Sequence, residues 1–242
     1  MSNSGCNQLT HSLLPQTILV PQGAEYKAVC RGLSGVKLPK PWVVPIPIGS
    51  KPVTHYLERW QQTEDFLTAK PSSILLMGLC GSLSPQLAVG DMALYHDCVY
   101  MSNKTTTLLR SCDRELTTVL HHKLGEEVTW VRGFTSDRII VSAEEKRHLG
   151  QLYNTQVVDM EGFAALEVLS GTEVPVGMVR VVSDDAHHNL PNLSSAISPE
   201  GSLQPLPLAL GMIRQPIAAS RLIQGAMHGL RVLQDVTTKL FS

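Results

Sequence analysis

The stretch that decides the fold reads VVDMEGFAAL and spans residues 157–166. Its first two residues are β-branched, which is typical of a buried strand, whereas the part from Gly162 onward has the alanine and leucine content of a helix. Another β-branched run follows at residues 176–183. We predict that strand 155–158, helix 160–170 and strand 176–183 form a parallel, right-handed strand–helix–strand unit.

The same alternation of strands and helices continues along the chain. Apolar runs predict strands at residues 17–20, 74–77, 92–98, 128–131 and 139–141, and apolar periodicity predicts helices beginning near residues 24, 53, 114, 143 and 217. The composition shows no abrupt break. We therefore expect one α/β domain over residues 1–242, with a flexible tail at residues 1–12.

Three irregular segments interrupt this pattern. Residues 42–48 are apolar but contain two prolines, so we expect this segment to lie at an edge of the sheet or at a bend. Residues 78–82 contain two glycines and predict a turn. Residues 187–207 are rich in Asn, Ser and Pro, which predicts a long loop of the kind that often covers a site.

Composition excludes several classes of protein. With 242 residues, 43% of them apolar and 17% charged, the chain can bury a large core and is not disordered. A net charge of -1 gives no electrostatic footprint for nucleic acid or an anionic membrane surface. No signal-peptide pattern and no apolar run of bilayer length occurs. We expect a cytoplasmic protein with no nucleic-acid partner and no stable membrane insertion.

The sequence contains no pattern for a cofactor or a metal. No Gly-x-Gly-x-x-Gly fingerprint and no Gly-Lys-Ser/Thr phosphate loop occurs. The five cysteines have no metal-ligand spacing and are odd in number, which fits free thiols in a reducing compartment. His187 and His188 are adjacent, so their side chains point apart, and no further ligands lie at suitable spacing. We expect no cofactor and no bound metal.

Two acids follow the strongest strands and are the main candidates for a site. Asp184 directly follows the run at residues 176–183. It is either a residue of a turn or helix cap, or a buried acid that can give a proton to a leaving group. Glu161 is either a favourable charge near a helix N-terminus or a carboxylate that accepts hydrogen bonds from a vicinal diol. In open α/β sheets, ligands bind where strands end, which favours one shared pocket.

Weaker candidates lie earlier in the chain. Glu25 at a helix start is by itself more often a solvated first-turn charge. Gly78 and Gly81 follow a strand, so their amides can face an anion or a sugar, although glycines in this place are also ordinary turn residues. Neither pattern identifies a ligand.

Three motifs in order nevertheless resemble one family. The sequences MGLCGSL at 77–83 followed by VGD at 89–91, VDME at 158–161 and RVVSD at 180–184 look like the purine nucleoside phosphorylase/methylthioadenosine nucleosidase superfamily. The resemblance runs from about Ile18 to Asp184. It implies a three-layer α/β/α fold with a twisted mixed central sheet, and cleavage of the N-glycosidic bond between a base and a ribosyl group.

The resemblance implies a role for each matching residue. Asp184 corresponds to the acid that protonates purine N7 as the bond breaks, and Ser183 to the residue that helps to orient it. Glu161 corresponds to the glutamate that binds the ribose 2′- and 3′-hydroxyls, with Met160 packed beside the sugar. Glu25 falls where the nucleosidases keep a water-activating glutamate.

Further residues match the binding segments of the family. Gly78, Leu79 and Gly81 fall on the segment beside the sugar, and Ile139 and Ile140 fall on the segment that packs against the base. These positions complete the predicted catalytic pair, Asp184 and Glu25, with a set of substrate-binding residues.

The chain departs from the family pattern at two positions. Nucleosidases often have a serine where this chain has Leu79, and phosphorylases place an arginine where it has Met77. Arg31 and Arg138 are the remaining candidates for a phosphate ligand, but no motif supports either of them. With Glu25 retained, the pattern favours water over phosphate as the nucleophile.

The resulting prediction is hydrolysis of the N-glycosidic bond of a purine nucleoside, of the adenosine type with a 5′ substituent. The alternatives are a phosphorylase, for which phosphate is a second partner, and a nucleoside-binding homologue that has lost turnover. The stretch at residues 184–216 is similar to bacterial relatives associated with hopanoid biosynthesis, which act on adenosylhopane. The family forms homo-oligomers, so we expect one here.

Overall fold

The computed structural model describes residues 14–37, 39–69, 71–102, 106–193, 198, 200–202 and 204–242, so the tail predicted at residues 1–12 lies outside the described residues. Within these ranges the chain forms eight strands and eight α-helices. The strands are β1 (Thr17–Pro21), β2 (Trp42–Ile46), β3 (Ile74–Ser82), β4 (Met92–Ser102), β5 (Thr106–Ser111), β6 (Val128–Thr135), β7 (Val157–Asp159) and β8 (Val176–Asp184). The helices are α1 (Ala24–Gly32), α2 (Ser50–Trp60), α3 (Glu64–Ala69), α4 (Arg114–Leu124), α5 (Ala143–Tyr153), α6 (Gly162–Leu169), α7 (Pro205–Arg214) and α8 (Pro216–Phe241).

The described strands form one mixed sheet in the order β2-β1-β3-β7-β6-β4-β5, with β8 bridging β3 and β4. Strands β1, β2, β3 and β8 are parallel to their neighbours in this part of the sheet, whereas β7 runs antiparallel to β3 and β8 antiparallel to β4. Because β8 pairs on both sides, β3, β7, β6, β4 and β8 close into a ring. The ring brings the ends of β3, β7 and β8 together.

Helices cover both faces of the sheet. On β1, Leu19 packs with the apolar residues of α2, α3 and α6, whereas Ile18 and Val20 pack with those of α1, α4 and α8. This alternation is the period-2 pattern of a strand that is buried on both faces. The predicted three-layer α/β/α fold with a twisted mixed central sheet is confirmed as a mixed sheet between two helical layers.

Three predictions about local structure were wrong. Strands β7 and β8 are not a parallel pair, because β7 pairs antiparallel with β3 and β8 pairs parallel with the same strand. Residues 78–82 are not a turn but the last part of β3. Residues 139–141 are not a strand. They belong to an irregular segment before α5, which includes Ile139 and Ile140. β-branched composition alone does not distinguish a strand from a buried loop.

The remaining elements follow the sequence with two additions. Strand β2 lies at the edge of the sheet, as its prolines indicated, and α8 matches the predicted last helix. The apolar face of α2, from Val53 to Trp60, is core. Strand β5 and helix α7 had not been expected, and α7 begins inside the segment predicted as a loop. None of the described helices combines the length and apolar character that a bilayer crossing requires.

Candidate active site

A cavity opens where the ends of the central strands meet. Strands β1, β3 and β8 are parallel and end at the same edge of the sheet. Strand β7 is antiparallel to β3, so the residues that follow β7 run beside β3 in the opposite direction. The cavity has a volume of about 180 Å³. Its lining includes all three predicted acids, Glu25, Glu161 and Asp184. It also includes the predicted residues Leu79, Gly81, Ile139, Ile140, Met160 and Ser183.

Glu25 lies in the first turn of α1 and faces β3 rather than solvent. Its Oε1 accepts a 2.6 Å hydrogen bond from the backbone N–H of Leu79. Burial raises the pKa of this carboxyl to about 7, and the nearby Glu161 carboxylate adds to the rise, whereas the Arg180 guanidinium and the Leu79 amide oppose it. A carboxyl with such a pKa exchanges protons near neutral pH, which suits a general base.

Glu161 precedes α6 but does not cap it, since its side chain makes no capping hydrogen bond. The carboxylate instead accepts a 2.9 Å hydrogen bond from the Gly49 N–H at Oε1, and Arg180 Nη2 lies 3.2 Å from its Oε2. Burial raises the pKa of Glu161, opposed chiefly by Arg180. A carboxylate has about four acceptor sites, so two remain for a pair of sugar hydroxyls.

Arg180 is the buried cation that lies beside Glu161 and Asp159. Its side chain is fully buried, contacts Glu161, lies 3.7 Å from Asp159 Oδ2, and donates to the Leu79 carbonyl at 3.4 Å. Asp159 is fixed in turn by a 2.7 Å hydrogen bond from Thr135 Oγ1. The surrounding carboxylates raise the pKa of Arg180, so the guanidinium stays charged.

The two glycines of β3 let the acids approach the strand. A Cβ at Gly78 would lie 2.7 Å from Glu25 Oε1, and one at Gly81 would lie 2.7 Å from Asp184 Oδ2. Gly78, a predicted binding residue, is not part of the cavity lining, and the backbone N–H of the next residue, Leu79, donates to Glu25. Because neither glycine has a side chain, the two carboxylates have room to lie against β3.

Asp184 ends β8 and has partners at both carboxylate oxygens. The Ser183 hydroxyl donates to Oδ1 at 2.7 Å. The Lys146 ammonium forms an ion pair with Oδ2 and donates to the Asp185 carbonyl at 2.9 Å. Neither contact is that of a helix cap, so Asp184 is a strand-end carboxylate directed to the cavity.

An adjoining groove extends the cavity. It has a volume of about 510 Å³ and shares Ile48, Arg138, Ile139 and Met160 with the cavity wall. The Met160 carbonyl accepts a 3.0 Å hydrogen bond from Ser50 Oγ, which ties the segment between β7 and α6 to the start of α2. A ligand in the cavity therefore has room for a substituent that points along the groove.

Sequence reasoning missed two of the residues around the acids. Arg180 interrupts an otherwise apolar strand, and a charge in such a strand signals buried partners. Lys146 gave no comparable signal, because lysine on a helix is usually solvated. Of the two arginines considered for phosphate, Arg138 lines the cavity but pairs with Glu145, and the exposed Arg31 donates to Gln234.

Cys80 also lines the cavity and is buried. Burial raises the pKa of its thiol well above the usual range, so the neutral form dominates at neutral pH. Because the thiolate is the nucleophile, Cys80 is inert in this position. Around the cavity, the described residues thus offer a carboxyl with a pKa of about 7, a buried carboxylate with two free acceptor sites and a strand-end acid with partners at both oxygens.

The comparisons assign the family. The model of the phosphorylase superfamily matches residues 48–198, more than half of the chain, so the chain belongs to the phosphorylase superfamily. The family recognised from the sequence motifs is thereby confirmed. No curated protein gives a significant match.

Solved structures agree on the fold. A 5′-methylthioadenosine/S-adenosylhomocysteine nucleosidase from Helicobacter pylori, in complex with butyl-thio-DADMe-Immucillin-A, has 17% identity and a TM-score of 0.63, covering 91% of this chain and 96% of its own. Futalosine hydrolase from the same organism has 16% identity and a TM-score of 0.64, covering 93% and 98%. A putative nucleosidase from Francisella philomiragia has 15% identity and a TM-score of 0.65, covering 93% and 96%. Together with the family, they support the prediction of a nucleosidase or nucleoside phosphorylase.

Proposed function

We propose that the protein hydrolyses the N-glycosidic bond of a purine nucleoside of the adenosine type that carries a 5′ substituent. The observation that carries the proposal is the convergence of Glu25, Glu161 and Asp184 on one cavity. Three buried or half-buried acids in one cleft are costly for stability, and such groups cluster at functional sites. The nucleosidase and hydrolase names of the structural neighbours agree with this reaction.

The proposed reaction divides the work among the three acids. Glu161 accepts hydrogen bonds from the ribose 2′- and 3′-hydroxyls and anchors the sugar. Asp184 gives a proton to the purine ring as the bonding pair of the C–N bond passes to the base. Glu25 takes a proton from the water that adds to the oxocarbenium-like sugar. An acid or base placed in this way contributes about 10²–10⁴-fold to a rate.

The charges around the cavity favour water over phosphate. The cations that line it among the described residues, Arg138 and Lys146, pair with Glu145 and Asp184. A phosphate dianion would therefore meet the carboxylates without an unpaired cation to offset their repulsion. Glu25, with a pKa of about 7, has the basicity that deprotonation of water requires.

The substrate assignment rests on the cavity and the groove together. Ile139 and Ile140 provide an apolar wall for a flat base, and the groove at Met160 and Ile48 accommodates a 5′ group. The groove is lined by the apolar Ile48, Pro52, Val141 and Leu193 and by the charged Lys51, Asp137 and Arg138, so it has space for a 5′ substituent larger than a free hydroxyl.

Base release with product analysis tests the proposal. Methylthioadenosine, adenosylhomocysteine, futalosine and unsubstituted adenosine are incubated with the protein, with and without phosphate, and base and sugar are separated by chromatography. We expect release of the base and free ribosyl sugar, independent of phosphate and fastest for a 5′-substituted adenosine. Ribose 1-phosphate formed only with phosphate would assign a phosphorylase instead, and no release from any nucleoside would refute catalysis.

A nucleoside-binding protein without turnover is the second candidate. It is favoured by Leu79, an apolar residue in the cavity wall where the resemblance expects serine. Asp184→Asn separates the two functions. An enzyme loses most of its rate with this change, whereas a binding protein keeps its affinity for the nucleoside within a few-fold.

A further inference from the structure

Lys146 is a buried cation with one acidic partner among the described contacts. It lies in the first turn of α5, which begins after Ser142, whose side chain caps the helix. Only 1% of the Lys146 side chain is exposed. Its ammonium contacts the Asp184 carboxylate and donates to the Asp185 carbonyl. Lysine is almost never buried in this way unless it is paired.

The pair has features that a merely structural ion pair does not need. Lys146 lines the same cavity as Asp184, so the pair faces the space in which the base is proposed to bind. Replacing a buried ion pair by apolar residues is often neutral or stabilising, so stability alone does not account for the pair. Ser183 holds the other oxygen of Asp184, which leaves the ammonium as the source of a proton for Oδ2.

We propose that Lys146 is a positioning residue that, acting through Asp184, supplies the proton that leaves with the base. This inference rests on the hydrolase function proposed above. As the C–N bond breaks and its electron pair passes to the base, a proton moves from the Lys146 ammonium to the Asp184 carboxylate and from Asp184 to the ring nitrogen. Lys146 is left as a neutral amine.

The cycle closes without a further reactant. Water adds to the sugar cation and releases one proton to Glu25. After the products leave, that proton returns through solvent to the Lys146–Asp184 pair. Protons and electrons balance over the hydrolysis, and the pair is again an ammonium and a carboxylate.

The test compares two leaving groups. An adenine nucleoside requires protonation of its base, whereas a 4-nitrophenyl riboside with the same sugar releases a stable phenolate without it. For Lys146→Met, we expect kcat to fall about 10²–10⁴-fold on the adenine nucleoside and less than about fivefold on the nitrophenyl riboside. Lys37→Met, a change of an exposed lysine, is the control and should leave both rates unchanged.

Lys146→Arg distinguishes proton supply from placement. Arginine keeps the charge and can pair with Asp184, but it does not give up its proton in proteins. We expect this variant to fold, to bind nucleoside with a KM within a few-fold of wild type, and to remain slow only on the adenine nucleoside. If Lys146→Met fails to fold, Lys146→Arg alone tests the proposal.

The outcomes separate this inference from the function on which it rests. Full activity of Lys146→Arg on the adenine nucleoside, or an equal loss on both substrates, would overturn the role of Lys146 while hydrolysis stands. A wild-type protein inactive on both substrates would overturn the hydrolase and this inference together.

Discussion

Arg180 Nη2 lies 3.2 Å from Glu161 Oε2, and both side chains are almost completely removed from solvent. The pair joins the middle of β8 to the segment between β7 and α6, so it links two parts of the chain that each carry an acid of the cavity. Because Asp159 also lies within 3.7 Å of the guanidinium, one cation is shared by two buried carboxylates. Removing it would leave both without a counter-charge among the described residues.

Arg180→Met should therefore destabilise the protein strongly. Loss of one partner from a buried ion pair costs about 3–5 kcal/mol, since the remaining charge is uncompensated. The measurement is the free energy of unfolding from denaturant titration. Arg110→Met is the matched control, because Arg110 pairs with Glu167 at the surface and such pairs contribute about 0–1 kcal/mol. Equal effects of the two changes would contradict the account of Arg180.

The rate of hydrolysis should rise with pH through the pKa of Glu25. Glu25 must be ionised to take a proton from water, and its pKa is about 7, so kcat/KM should fall as pH drops below this value. The groups facing it are Arg180, Glu161 and the Leu79 amide. A profile from pH 5 to 9 measures this effect. Glu25→Gln should be slower by about 10²-fold or more, without the limb near pH 7, whereas a wild-type rate flat across this range would exclude Glu25 as the base.

The same pKa shift predicts a stability effect of Glu25→Gln. The folded state holds a proton on Glu25 up to about pH 7, whereas the unfolded chain loses it near the ordinary value of 4.5. Wild-type stability therefore falls as pH rises between these values, and glutamine has no such dependence. Between pH 4 and pH 8, the unfolding free energy of the variant minus that of wild type should increase by up to about 3 kcal/mol. A difference that is constant with pH would contradict the raised pKa.

Gly81→Ala should slow catalysis without unfolding the protein. Gly81 lies at the register shift of β3 against β8, and an added Cβ would press on Asp184 Oδ2. A displacement of about 1 Å in a catalytic group can cost about 10²-fold in rate. Gly171→Ala is the control, since a Cβ there meets nothing within 4 Å. Steady-state kinetics and thermal unfolding measure both effects, and equal rates for the two variants would refute the placement of Gly81.

The fold was predictable to the extent that it depends on local pattern. Apolar runs located β3 and β8, and proline located β2 at the edge, because these signals act over a few residues. The pairing of β7 with β3 was not predictable in this way. The direction of a strand in a sheet depends on contacts with residues far along the chain, and β7 is only three residues long.

The site was predictable where the acids follow a motif. Glu25, Glu161 and Asp184 were named from the sequence, and all three line one cavity. No role was assigned from the sequence to the cations that pair with them. Arg180 and Lys146 act from separate elements, β8 and α5, and only the tertiary structure brings them to the acids.

The most direct measurement is a crystal structure with a C-nucleoside analogue of methylthioadenosine, in which a carbon–carbon bond replaces the bond to be cleaved. We expect both ribose hydroxyls within about 3.2 Å of the Glu161 oxygens, with the ring nitrogen within the same distance of Asp184 and the 5′ group in the groove at Met160. A ribose turned away from Glu161, or a base bound beside Glu25 with Asp184 free of contact, would contradict it.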